Sequence, residues 1–138
     1  MEKKVKVEVG YEDGNYSAVA TFGDFPGMVI VTRNDYPALQ DAVRAGVKEH
    51  IASCIEDDDD VPAYLARGEY EFAWELSTQA LIRSAEPYTS IAAIARASGI
   101  NQSLLSHYAT GVKRPRPKQR QRIVAGLHRI GQNLMAIV

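Results

Sequence analysis

Residues Ser90 to Pro117 read Ser-Ile-Ala-Ala-Ile-Ala-Arg-Ala-Ser-Gly-Ile-Asn-Gln-Ser-Leu-Leu-Ser-His-Tyr-Ala-Thr-Gly-Val-Lys-Arg-Pro-Arg-Pro. Apolar residues recur at helical spacing on both sides of Gly99, so the stretch predicts two short helices joined by a tight turn, a helix-turn-helix. Ile91, Ile94 and Ala95 share one face of the first helix, and Asn101 is positioned to cap the second through its side-chain oxygen. In the second helix Ile100, Leu104, Leu105 and Tyr108 point inward. That leaves Gln102, Ser103, Ser106, His107 and Thr110 on one polar face of low charge. Gln and Ser are side chains that read base edges in a major groove. Lys113, Arg114, Arg116 and Lys118 come directly after it, where a recognition helix leaves the groove and phosphates pass close by. An ordinary helical hairpin has no use for such a face beside a cationic turn. The candidate DNA-binding residues are therefore Asn101, Gln102, Ser103, Ser106, His107, Lys113, Arg114, Arg116 and Lys118.

The charge distribution divides the chain in two. Residues 1–76 hold 7 Lys+Arg against 16 Asp+Glu, a net of −9, and residues 77–138 hold 9 against 1, a net of +8. The total of −1 over 138 residues conceals this split. A basic C-terminal half suits a polyanion such as DNA, and an acidic N-terminal half suits a basic partner. An apolar fraction of 46% permits packed cores, although domains this small often gain stability by oligomerising. A single cysteine excludes an internal disulfide framework. With no signal peptide and no long apolar run, the expected location is cytoplasmic.

In the acidic half Val5, Val7, Val9 and Tyr11 alternate with Lys4, Lys6, Glu8 and Gly10. After Asp13-Gly14-Asn15 the run Tyr16–Phe22 resumes as a second strand, and Asp-Gly accepts the positive φ of a hairpin turn. Asp24-Phe25-Pro26-Gly27 reads as a turn and Met28–Thr32 as a third strand. A helix begins at about Pro37, capped by Asp35 or Asn34, with Leu39, Val43, Val47, Ile51 and Ile55 on one stripe and Gln40, Arg44 and Lys48 opposite. Asp57–Asp60 ends that helix, and Glu69–Leu76 alternates as a fourth strand. The expected class is α+β: a small β-β-β-α-β domain followed by an all-α domain.

The strand-turn-strand opening, the Asp24-x-Pro26-Gly27 turn, the single helix, the aromatic fourth strand and the C-terminal helix-turn-helix together resemble the HicB family of antitoxins. The resemblance covers nearly the whole chain. It implies a partial RNase-H-like domain over residues 1–76 that binds and occludes a small basic HicA-type toxin, an RNA-cleaving protein. It also implies a Cro/repressor-like domain over residues 77–138 that represses the operon encoding both. On this reading the chain is an antitoxin and transcription repressor without enzymatic activity, cofactor or metal. The charge split fits independently, since an acidic domain and a cationic RNA-binding protein attract one another.

Other chemistry is less well supported by the residues. A two-metal nuclease needs carboxylates converging on ions about 4 Å apart, whereas Asp57–Asp60 are consecutive and diverge, as expected of a solvated linker. Asp13 and Asp24 are explained by turns. His50 and Cys54 are four apart on the long helix and could share a metal with the aspartates beyond, but two potential ligands beside a flexible run are a weak signal, and they read as helix-face and core residues. Ser103 and His107 share that spacing without an orienting group or oxyanion site, so they read as groove-facing. Tyr70, Phe72 and Trp74 read as core rather than a stacking platform, because the flanking glutamates repel phosphate. Two rival functions remain: a stand-alone regulator whose N-terminal domain senses a small molecule, and an RNase-H-like nuclease fused to a DNA-targeting module.

Ile123, Leu127, Ile130, Leu134 and Ile137 are spaced by four, three, four and three, a seam for coiled-coil-like contact. One side of this helix must cover the helix-turn-helix core. Val124, Met135 and Val138 add apolar surface beyond the stripe, so the segment is also expected to form a homodimer or higher oligomer. Two-fold repressors bind half-sites about 34 Å apart or a multiple of that.

Overall fold

The computed structural model describes residues 3–138. The chain is α+β, with one four-stranded mixed sheet and six helices among the described residues. It divides into two compact units, residues 1–77 and 78–138.

The first unit holds β1 (Lys4–Glu12), β2 (Asn15–Phe22), β3 (Phe25–Arg33), α1 (Tyr36–Glu56), the short α2 (Ala63–Ala66) and β4 (Glu71–Leu76). The sheet order is β3-β2-β1-β4, antiparallel except for the β1–β4 pair. A parallel neighbour requires a crossover, and α1 supplies it. Asp13 and Gly14 have φ of +51° and +79°, the signature of the primed turn that matches strand twist in a two-residue hairpin. The second hairpin corrects the sequence expectation. The turn is Gly23-Asp24, with Phe22 opposite Phe25, and Pro26 and Gly27 lie inside β3 rather than in a turn. Asp24-Phe25-Pro26-Gly27 has turn composition, yet the two-residue loop lets pairing begin three residues before Met28.

Alternation in β1 and β2 selects the covered face. Val5, Val7 and Val9 and the facing Tyr16, Ala18, Ala20 and Phe22 are buried, together with Leu39, Val43, Val47 and Ile51 of α1. Asp35 begins α1, its Oδ1 accepting from the Ala38 N–H at 2.7 Å. Ile55, expected on the same stripe, is 48% exposed in the last turn of α1. Phe72 and Trp74 pair with Val5 and Val7, which sets them on the helix-covered side, half-buried.

The second unit is all-helical: α3 (Thr78–Ala85), α4 (Ile91–Ser98), α5 (Gln102–Thr110) and α6 (Pro117–Met135). Its core joins Ile82, Ile94, Ala95, Ile100, Leu105, Tyr108, Ala109 and Ile123. Fully burying an Ile or Leu contributes about 1.5–3 kcal/mol, so a few such residues carry most of what a unit of this size can gain. Ser90 caps α4 by accepting from the Ala93 N–H at 3.0 Å. Gly99 ends α4 at φ +71°, a left-handed conformation that other residues adopt at a cost. No helix among the described residues is long and apolar enough to cross a membrane.

Candidate nucleic-acid interface

The α4–α5 pair is built as its spacing anticipates. Asn101 Oδ1 accepts from the N–H groups of Ser103 at 2.9 Å and Leu104 at 3.3 Å, satisfying two donors at the start of α5. That cap occupies the Asn101 oxygen and leaves its amide N–H₂ as the group able to reach outward. Leu105, Tyr108 and Ala109 are buried and Leu104 is half-buried. Gln102, Ser103, His107 and Thr110 are exposed and Ser106 is half-buried. The five therefore form one polar strip along α5. The Thr110 hydroxyl donates to the carbonyls of Ser106 at 3.1 Å and His107 at 3.3 Å, so its proton is used within the helix.

The basic turn is tied to the end of that helix. The Lys113 N–H donates to the His107 carbonyl at 3.2 Å, bringing the chain back over the last turn of α5. Pro115 and Pro117 stiffen the run into α6, and Pro117 occupies the first turn of that helix, where its missing N–H costs nothing. Lys113, Arg114, Arg116 and Lys118 are all exposed. Among the described residues none of the four is held in an ion pair.

The other arginines of this unit are mostly occupied in holding it together. Arg83 donates from Nε to the Ala109 carbonyl at 3.0 Å and from Nη1 to Glu86 at 3.1 and 3.3 Å. Arg120 reaches Thr78 Oγ1 at 2.9 Å, Arg122 the Gly99 carbonyl at 2.9 Å, and Arg129 the Ala97 carbonyl at 3.3 Å. The excess positive charge thus separates into cations that fasten helix ends and cations that face water beside α5. Sequence reasoning identified the second group and missed the first, together with α3. Arg96, exposed on α4, is one further cation that the spacing did not single out.

The expected dimer seam on α6 is shared out differently. Ile123 is fully buried in the unit's own core, so it has no surface left for a second copy. Leu127 and Ile130 pack against the same core and are half-buried. Leu134 is 55% exposed, and Ile137, 74% exposed, lies past the end of α6 at Met135. A heptad-like stripe marks apolar side chains without saying whether the covering surface is internal. On the outward side, an open groove of about 550 Å³ is lined by Pro115, Pro117, Arg120, Val124, Ala125 and His128.

In the first unit the His50 ring stacks on Phe22 at 5.2 Å and lies 3.7 Å from Cys54 Sγ. Burial, then the charge and hydrogen bonding of Asp59 and the charge of Asp57, push the Cys54 thiol up from its ordinary value. A protonated thiol is a poor nucleophile and a poor metal ligand. No group of three or more His, Cys, Asp or Glu able to hold a metal occurs among the described residues. Asp57–Asp60 are exposed, with Asp57 capping the C-terminus of α1. Comparison with protein-family models, curated proteins and solved structures found no match to this chain.

Proposed function

We propose that this chain is an antitoxin of HicB type: its C-terminal unit represses its own operon as a helix-turn-helix, and its N-terminal unit, partial RNase-H-like, neutralises a small basic HicA-type toxin. The observation that carries this proposal is the polar strip of α5, Gln102 to Thr110, continuous with four exposed cations that the unit does not use for itself. Base edges and phosphates call for those two chemistries side by side. Gln102, Ser103, Ser106 and His107 face bases, the free amide of Asn101 lies at their start, and Lys113, Arg114, Arg116 and Lys118 neutralise phosphates. Leu134 and Ile137, with the groove around Val124, supply the apolar surface for dimerisation by this unit.

The antitoxin half is supported by the net charge of the first unit, 7 basic against 16 acidic residues, which attracts a cationic protein. Such a chain acts by binding, in the cytoplasm, and needs neither catalysis nor a cofactor. Its test is co-expression with the small basic protein encoded beside it. Suppression of that protein's toxicity and its recovery in a low-salt pull-down are expected. Failure of both removes the toxin partner and leaves a stand-alone DNA-binding regulator with a ligand-sensing N-terminal unit.

A further inference from the structure

The sheet of the first unit ends on two strands with unequal protection. An edge strand presents a row of unpaired N–H and C=O groups, which natural sheets shield by shortness, charge, proline or cover. β4 is 6 residues long and carries Glu71 and Glu75. β3 is 9 residues long, is irregular at Pro26 and Gly27, which have no partner on β2, and runs in regular register from Met28 with no charge until Arg33 at its last position. Within that run Met28 and Ile30 are 57% and 63% exposed. Val29 and Val31 pair with the buried Ala20 and Ala18 on the side covered by α1, so Met28 and Ile30 stand on the opposite, helix-free face.

The flank of α1 above this edge is also distinctive. Arg44 lies over the Trp74 ring of β4 at 5.6 Å, and a Cβ on Gly46 would come within 2.8 Å of Val29 Cγ1 on β3. Continuing round the helix in that direction, at 3.6 residues per turn, brings Ser53, Ala42, Glu49, Ala38 and Ala45 in turn beyond β3. The helix surface beside the free edge is therefore small-residued at Ala38, Ala42 and Ala45, with the exposed Glu49 among them.

We propose that β3 is a homotypic pairing edge, through which two copies of this chain join antiparallel about a two-fold axis near Val29 to form one continuous sheet. A two-fold contact needs a surface complementary to itself, and β3 meets that condition in two ways. Pairing about Val29 sets Met28 opposite Ile30 of the partner subunit, twice. It brings Arg33, at one end, to Asp24 of the partner subunit, next to the other end. The opposite charges at the two ends favour a second copy over a strand from an unrelated protein. This goes beyond the DNA-binding and antitoxin proposals and requires neither, because it concerns a different face from α6.

The test is the mass of the full-length protein by light scattering across a concentration series. Ile30→Lys is expected to halve the wild-type mass with an unchanged circular dichroism spectrum. Arg33→Asp and Asp24→Arg are each expected to lower the mass, and the combined Asp24→Arg/Arg33→Asp variant to restore it. Should Ile30→Lys fail to fold, the charge-exchange set decides alone. A monomeric wild type, an unchanged mass in the Ile30→Lys or single-charge variants, or no recovery in the combined variant overturns the proposal. Loss of a basic partner from Ile30→Lys without a change in mass also overturns it, in favour of a strand contributed by that partner.

Discussion

Arg122 of α6 donates from Nη2 to the carbonyl oxygen of Gly99 at 2.9 Å, so a long helix holds the turn that joins two short ones. The carbonyls at the end of α4 lack helical partners, and a cation there satisfies one of them while opposing the helix dipole. Arg122 is solvent-exposed, which screens the interaction. Arg122→Ala is therefore expected to lower stability by about 1 kcal/mol, read as a lower urea midpoint with an unchanged slope.

A tighter constraint acts nearby. Gly126 is buried where α6 crosses the end of α4, and a Cβ added there would lie 2.9 Å from the Ser98 backbone nitrogen. Backbone cannot give way as a flexible side chain does. Gly126→Ala is expected to cost about 1–3 kcal/mol through overpacking, seen as a lower thermal midpoint. Unchanged stability would show that α4 and α6 do not need this approach.

Gln102 stands exposed at the first position of α5, with no hydrogen bond from its side chain to the rest of its unit among the described residues. Gln102→Ala is expected to weaken binding to the operator by about 1–3 kcal/mol and to leave binding to a scrambled duplex unchanged. Titration of both duplexes by fluorescence anisotropy measures the difference. Equal losses on both would reassign Gln102 to a backbone contact.

Cys54, its thiol pushed up by burial and by Asp59 and Asp57, is expected to alkylate more slowly than free cysteine at mildly alkaline pH. The raised value means that the proton is retained to higher pH, so the midpoint of the rate against pH should lie above that of a free thiol. Asp59→Asn should move it back down. A midpoint at or below the free-thiol value would contradict the environment described for this helix face.

How far the sequence reveals this molecule depends on the kind of interaction. Alternation at Val5–Val9 and the stripe Leu39–Ile51 report burial directly, and both elements form where the pattern puts them. Asn101 and Ser90 are legible as caps because capping is local. The Gly23-Asp24 turn is misread because Pro26 and Gly27 mimic turn composition while pairing of Phe22 with Phe25 decides the outcome. Arg83, Arg122 and Arg129 look like any surface cations in sequence, since their carbonyl partners lie 26, 23 and 32 residues away. For the same reason Ile123 looks like seam: the spacing marks it apolar, and only the tertiary arrangement assigns it to the unit's own core. The α5 strip and the basic turn are legible because both are exposed, contiguous and chemically distinct from a core.

The division of cations in the second unit can be tested by one titration. Affinity for a duplex taken from immediately upstream of the gene is measured between about 50 and 200 mM salt, for the wild type and for the Arg114→Ala/Arg116→Ala variant. Two phosphate contacts removed per protomer should flatten the slope of log K against log salt by about 1.8 per protomer, while preference for that duplex over a scrambled one persists. A slope unchanged by the double substitution, or a wild type without preference for the upstream duplex, would contradict the assignment of α5 and its basic turn to operator DNA.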